Sequence, residues 1–111
     1  MKKIIRTILE DINPSELGKF NYHEHAFQIS PLLPQDDLSD FAKSRKEFQA
    51  LKDSGFDSYL EATPIALGRN PENVAEIAKS TGLNIIHATG FHKTEHYLDQ
   101  PAVLALTLNQ K

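Results

Sequence analysis

The 111-residue chain has no cysteine and no tryptophan, and only one methionine. Without cysteine there can be no disulfide, no thiolate metal site and no cysteine nucleophile. Any metal must then be held by His, Asp, Glu or a modified side chain. Long apolar runs are also missing, and none approaches the roughly 20 residues that a membrane-spanning helix needs. Charge of one sign is not in excess. Twelve Lys and Arg stand against 15 Asp and Glu, for a formal net charge of −3. That balance gives no electrostatic ground for nucleic acid or an anionic membrane as partner. The start, Met1-Lys2-Lys3-Ile4-Ile5-Arg6, has the basic flank of a signal peptide. It lacks the apolar stretch of about 7–15 residues that such a peptide carries, so a soluble cytoplasmic protein is expected. No glycine-rich phosphate loop and no nucleophile elbow is found. The length allows one domain, over 1–111, since domains run to about 100–150 residues.

What is present alternates between two periodicities. Residues 4–9, Ile-Ile-Arg-Thr-Ile-Leu, read as a short strand. Asn13-Pro14 and Gly18 punctuate the stretch after it, which suggests a hairpin leading into a second strand, Phe20 to Phe27. Ser30 to Asp37 reads as loop, with Pro31 and Pro34. A helix to about Ser54 follows, with Leu38, Phe41, Phe48 and Leu51 on one face. Asp36, Asp37 and Asp40 suit its positive end, and Gly55 suits a left-handed stop. Phe56 to Ala62 is the next strand, closed by Thr63-Pro64. Asn70-Pro71-Glu72 opens a second helix as cap, first-turn proline and acid. Val74, Ile77, Ala78 and Thr81 form its buried stripe, and Gly82 ends it. Leu83 to Ala88 is a third strand, and Pro101 to Leu108 reads as a helix start.

Alternating β and α implies parallel strands joined by crossover helices. Strand centres near His23, Tyr59 and Ile86 are about 36 and 27 residues apart, one β/α unit each. A closed (β/α)8 barrel needs eight such units, typically about 250 residues. Three units suit a small open α/β sheet or the front of a barrel. Either way two strand edges stay open, a surface prone to aggregation or to pairing with another chain.

His23 and His25 are the sharpest chemical feature. Residues i and i+2 of a strand share a face, so both imidazoles project together and can converge on one metal ion. They lie toward the end of their strand, where barrel active sites sit. The bland alternative is a histidine pair on a solvated face. An open zinc site takes three protein ligands plus water, and two histidines do not complete one. Glu24 should face away, in a packing or salt-bridge role. His92 and His96, four apart, suit a second ligand pair on a helical turn or, more simply, a polar loop. His87, inside the third strand, reads as a packed or hydrogen-bonded core residue. Gly68-Arg69-Asn70 suits an anion at a helix start or a plain Asn cap.

Three stretches together carry a family resemblance. Leu17-Gly18-Lys19-Phe20-Asn21-Tyr22-His23-Glu24-His25-Ala26-Phe27 resembles the opening of the phosphotriesterase family of the amidohydrolase superfamily. Residues 62–71, Ala-Thr-Pro-Ile-Ala-Leu-Gly-Arg-Asn-Pro, are similar to its second strand and following loop. Residues 81–91, Thr-Gly-Leu-Asn-Ile-Ile-His-Ala-Thr-Gly-Phe, are similar to its third strand. The blocks stand in the family's order.

The resemblance implies a partial (β/α)8 TIM barrel: the N-terminal hairpin and roughly the first three β/α units. It implies two divalent ions, usually zinc, bridged by a carboxylated lysine and a hydroxide that attacks an ester. His23 and His25 match the two first-strand ligands. The remaining ligands, a lysine, two histidines and an aspartate, come from later strands in family members. His92 stands where lactonase-like members often carry a pocket-lining tyrosine. The expected substrate is a small phosphotriester, lactone or related ester, and homo-oligomers are compatible with the reading. The fragment alone is expected to be inactive or nearly so. The alternatives are a non-catalytic remnant, or a small α/β module that pairs through its open sheet.

Overall fold

The computed structural model describes residues 2–32, 34, 35 and 37–108. A short antiparallel hairpin comes first, β1 (Ile5–Arg6) against β2 (Asp11–Ile12). Thr7 turns it, its side-chain hydroxyl donating to Glu10 O at 2.6 Å. Arg6 and Asp11 pair across the hairpin at 3.0 Å, in the open. Such a pair contributes little to stability. Ile8 N donates to Ile85 O at 2.8 Å and seats the hairpin against the main sheet.

That sheet has three parallel strands in sequence order: β3 (Phe20–Glu24), β4 (Ser58–Glu61) and β5 (Asn84–His87). Tyr59 lies opposite Asn21 on one side and Ile85 on the other. The crossovers are α1 (Phe41–Asp53) and α2 (Pro71–Thr81). A last helix, α3 (Pro101–Leu108), follows a 3-10 turn over Thr94–Tyr97. No helix among the described residues is long and apolar enough to cross a membrane.

The core lies between the sheet and the two crossover helices. Phe48 of α1 stacks on Tyr59 of β4, with ring centroids 4.3 Å apart. Ala26, Phe27, Val74, Ile77, Ala78, Leu83 and Ile85 complete the buried cluster. Every residue of the stripe expected on α2 is buried. Asn70 caps this helix by accepting from Asn73 N at 3.1 Å, and Gly82 ends it.

Besides the first strand, which ends at Arg6 instead of Leu9 because the chain turns at Thr7, two expectations need correction. Leu38 is not on the apolar face of α1; it is exposed. Its backbone is held extended by a two-way bridge to Gln28, at 2.8 and 2.9 Å. The helix starts three residues later, where Asp40 accepts from Lys43 N at 3.1 Å. Asp36 lies outside the described residues. Gly55 does take the left-handed conformation after α1, at φ +105°. The second correction concerns β3, which stops at Glu24 instead of Phe27. Its register against β4 shifts between Asn21 and Glu24. Past that shift the chain is held by side chains: Ala26 N donates to Glu61 Oε2 at 2.7 Å.

Candidate metal centre

His23 is the penultimate residue of β3, and His25 follows its end. Their rings meet edge to face, with centroids 5.1 Å apart. The two rings stand together despite the register shift at this point, as the two-residue spacing predicts. His23 is exposed and His25 half-buried. Asn21 braces the irregular stretch, its Oδ1 accepting from His23 N at 3.2 Å and its Nδ2 donating to Glu24 Oε1 at 3.0 Å. Glu24 is therefore occupied within its own strand.

His25 is anchored, whereas His23 has no side-chain hydrogen bond among the described residues. His25 Nδ1 lies 2.8 Å from Thr63 Oγ1. Thr63 is fully buried just beyond β4, and its hydroxyl is also 2.6 Å from Phe27 O and 2.7 Å from Glu61 Oε1. Glu61, 1% exposed, takes further hydrogen bonds from Ala26 N at 2.7 Å and Tyr59 OH at 3.2 Å. Burial pushes the Glu61 carboxyl above its ordinary range, against the pull of those donors. Burial, with the Glu61 charge behind it, pushes the Tyr59 phenol far up. Burial also pulls His25 below its ordinary value, and the positive charge of a protonated His23 or His92 acts the same way, against Glu24. That lowering favours the neutral imidazole, the form that ligates metal.

The donor set fits a zinc-like ion on spacing. Zinc–nitrogen distances of about 2.0–2.1 Å in a tetrahedral arrangement set two ligating ring centres about 5 Å apart. Nδ1 of His25 faces Thr63, which leaves Nε2 for a ligand. Among the described residues no group of three or more His, Cys, Asp or Glu side chains is placed to hold a metal ion. Two imidazoles are thus what these residues bring to the site.

His92 and His96 come together, but as a packed pair. Their rings lie 3.7 Å apart at the centroids. His96 is buried, with Nδ1 2.6 Å from Ser30 Oγ. His92 is exposed, and its own Nδ1 accepts from Lys93 N at 2.7 Å. Burial lowers both, His96 adding to the effect at His92. Fully buried Tyr97 ties this loop down: its OH accepts from His92 N and donates to Ile65 O, both at 2.8 Å. His96 is thus tied to Ser30 and packs on the more exposed His92. His87 is half-buried, outside the core expected for it, and its Nδ1 lies 3.3 Å from Ala88 O. Its buried Nε2 and Arg69 Nε have no hydrogen-bond partner among the described residues. Asn70 caps α2 with its side chain.

Glu61 and Thr63 carry no chemical role in the sequence reading, where Thr63 marks a strand exit and falls in the second family block. The available signal was Tyr59-Leu60-Glu61: alternation puts the carboxylate on the same side as a core aromatic.

Comparison with known proteins agrees with this architecture. The chain matches the phosphotriesterase family over residues 3–110. It is 33% identical over 103 residues to a phospho-furanose lactonase of Mycoplasmopsis synoviae (strain 53), covering 86% of this chain and 29% of that protein. It is similar in structure to a lactonase from Listeria monocytogenes, with TM-score 0.74 and 33% identity over 81% of this chain and 29% of the other. An amidohydrolase from Mycoplasma synoviae aligns at TM-score 0.76 and 30% identity, over 89% of this chain and 30% of the other. The chain spans about three-tenths of the length of these relatives, and its parallel sheet corresponds to the N-terminal third of their barrels. With the match running through nearly every residue, the chain belongs to the phosphotriesterase family.

Proposed function

We propose that residues 1–111 form the N-terminal part of a metal-dependent hydrolase barrel domain that cleaves ester bonds of small molecules, as a phosphotriesterase or lactonase. The observation that carries this reading is the convergence of His23 and His25 at the C-terminal end of β3, 5.1 Å apart at the ring centroids. The naming of relatives as lactonases supports a lactone or phosphate-bearing ester as substrate class. His23 and His25 would hold a divalent ion, with zinc favoured by imidazole donors. When bound, such an ion polarises the scissile carbonyl or phosphoryl oxygen and acidifies water.

The chain's own residues do the holding. Thr63 fixes one edge of His25, and Glu61 fixes Thr63. Tyr97 positions the His92 backbone at the rim, where this side chain would line the substrate pocket. An open groove of about 490 Å³ runs along α1 beside the end of β3, lined in part by His25, Leu38, Phe48 and Leu51. Further barrel elements would cover it. With two imidazoles where an open zinc site takes three protein ligands, the chain alone should bind zinc weakly and turn over little or no ester.

Calorimetric titration with zinc tests this. The wild-type chain should show weak uptake, and His23→Ala combined with His25→Ala should abolish it. Stoichiometric zinc retained by the double variant after dialysis would place the ligands elsewhere.

A further inference from the structure

We infer that Thr63 is a positioning residue that sets the tautomer of His25, with Glu61 and the Phe27 carbonyl dictating where the Thr63 hydrogen goes. The meaning of this device for function rests on the metal reading above; the tautomer itself does not. Thr63 Oγ1 carries one hydrogen and has three neighbours in hydrogen-bond range: Phe27 O at 2.6 Å, Glu61 Oε1 at 2.7 Å and His25 Nδ1 at 2.8 Å. A peptide carbonyl can only accept. An ionised Glu61 can also only accept, so two acceptors compete for one hydrogen. The Oγ1 lone pair is then what faces the imidazole, and His25 Nδ1 must donate into it.

A protonated Glu61 gives the same answer. Its Oε2 already accepts from Ala26 N and Tyr59 OH, which favours Oε1 as the seat of the acid proton, 2.7 Å from Thr63 Oγ1. The Thr63 hydrogen then goes to Phe27 O, and Oγ1 accepts from both Glu61 and His25. In both states hydrogen is on Nδ1 and the lone pair on Nε2. Free neutral imidazole of histidine prefers the opposite arrangement, so the buried threonine reverses a solution preference. A ligand histidine whose second nitrogen is held in this way keeps both its tautomer and its ring plane, and removing such a partner typically costs about 10–100-fold in metal affinity.

The test uses the full chain, metal-free, with ¹⁵N-labelled histidine and long-range ¹H–¹⁵N correlation at mildly alkaline pH. Wild type and Thr63→Ser should both show His25 with a protonated Nδ1 and a bare Nε2. Thr63→Val, close in shape but without the hydroxyl, should show the pattern mixed or inverted. A folded wild type with hydrogen on Nε2 would overturn the inference, as would an unchanged pattern in folded Thr63→Val. Should Thr63→Val lose its amide dispersion, the wild-type and Thr63→Ser spectra decide by themselves. Zinc titration of the same samples separates the two ideas. A wild type with the expected tautomer that takes up no zinc overturns the metal reading and leaves the tautomer assignment standing.

Discussion

The rings of Phe48 and Tyr59 lie nearly parallel, 13° apart in plane and 4.3 Å apart at their centroids. One comes from the first crossover helix and the other from the central strand, so this contact joins the layers. Phe48→Ala should destabilise the chain by about 3–5 kcal/mol, the usual cost of deleting a buried aromatic ring. Phe48→Leu should cost far less, about 1 kcal/mol. Urea titrations followed by circular dichroism would measure both. Equal midpoints for the two variants would show that the contact is not what joins helix to sheet.

Gly68 is at φ +79°, and an added Cβ would meet Ile29 N at 2.8 Å, against backbone that is itself bonded to Leu67 O at 2.7 Å. Gly68→Ala should therefore cost more than the roughly 1–2 kcal/mol of left-handed strain alone. Gly55 shares the positive φ but has nothing within 4 Å. Gly55→Ala should show the strain without the collision, so its melting midpoint should fall less than that of Gly68→Ala.

The Asn70 cap satisfies one end-of-helix donor of α2. Asn70→Ala should cost about 1 kcal/mol, within the range of about 0.5–2 for lost caps. Asn70→Asp, which keeps the accepting oxygen, should restore it. Thermal melts of the three proteins check this order.

Acid should weaken the fold through its histidines. His25, His87, His92 and His96 are all held below the ordinary value of 6.5, burial being the first cause at each. A lowered histidine contributes stability that is complete above the unfolded value and is lost as pH falls through the folded one. Glu61 acts with the opposite sign. Its raised carboxyl contributes below the ordinary value of 4.5, and that contribution is lost as pH rises through the folded one. Comparison with His96→Gln isolates one imidazole. The stability advantage of wild type over that variant should shrink as pH drops below 6.5. Urea midpoints measured in parallel across this range would reveal a constant difference if His96 is not held neutral.

Legibility followed the reach of the forces involved. The limits and stripe of α2 were readable because cap, proline, apolar spacing and terminal glycine all lie within 13 residues of one another. The shared side of His23 and His25 was readable for the same reason, two positions apart on one extended segment. Leu38 misled because its apolar spacing fits the helix while its backbone is claimed by Gln28, ten residues earlier. The early end of β3 comes from a register shift against β4, which no pattern within β3 records. Thr63 and Glu61 meet His25 and Ala26 from 38 and 35 positions away, so the support of the histidine pair exists only once β4 has docked. The three-block family resemblance carried the barrel assignment further than periodicity did, since periodicity alone leaves an open sheet equally acceptable.

Strand order along the sheet is also sequence order, and among the described residues β4 alone has a partner on each side. Assembly can then proceed stepwise along the polypeptide, each newly formed unit closing on its immediate predecessor with modest loop entropy. The amides of Tyr59 and Leu60 would be the last to trade hydrogen for deuterium, and those of β3 and β5 would go sooner.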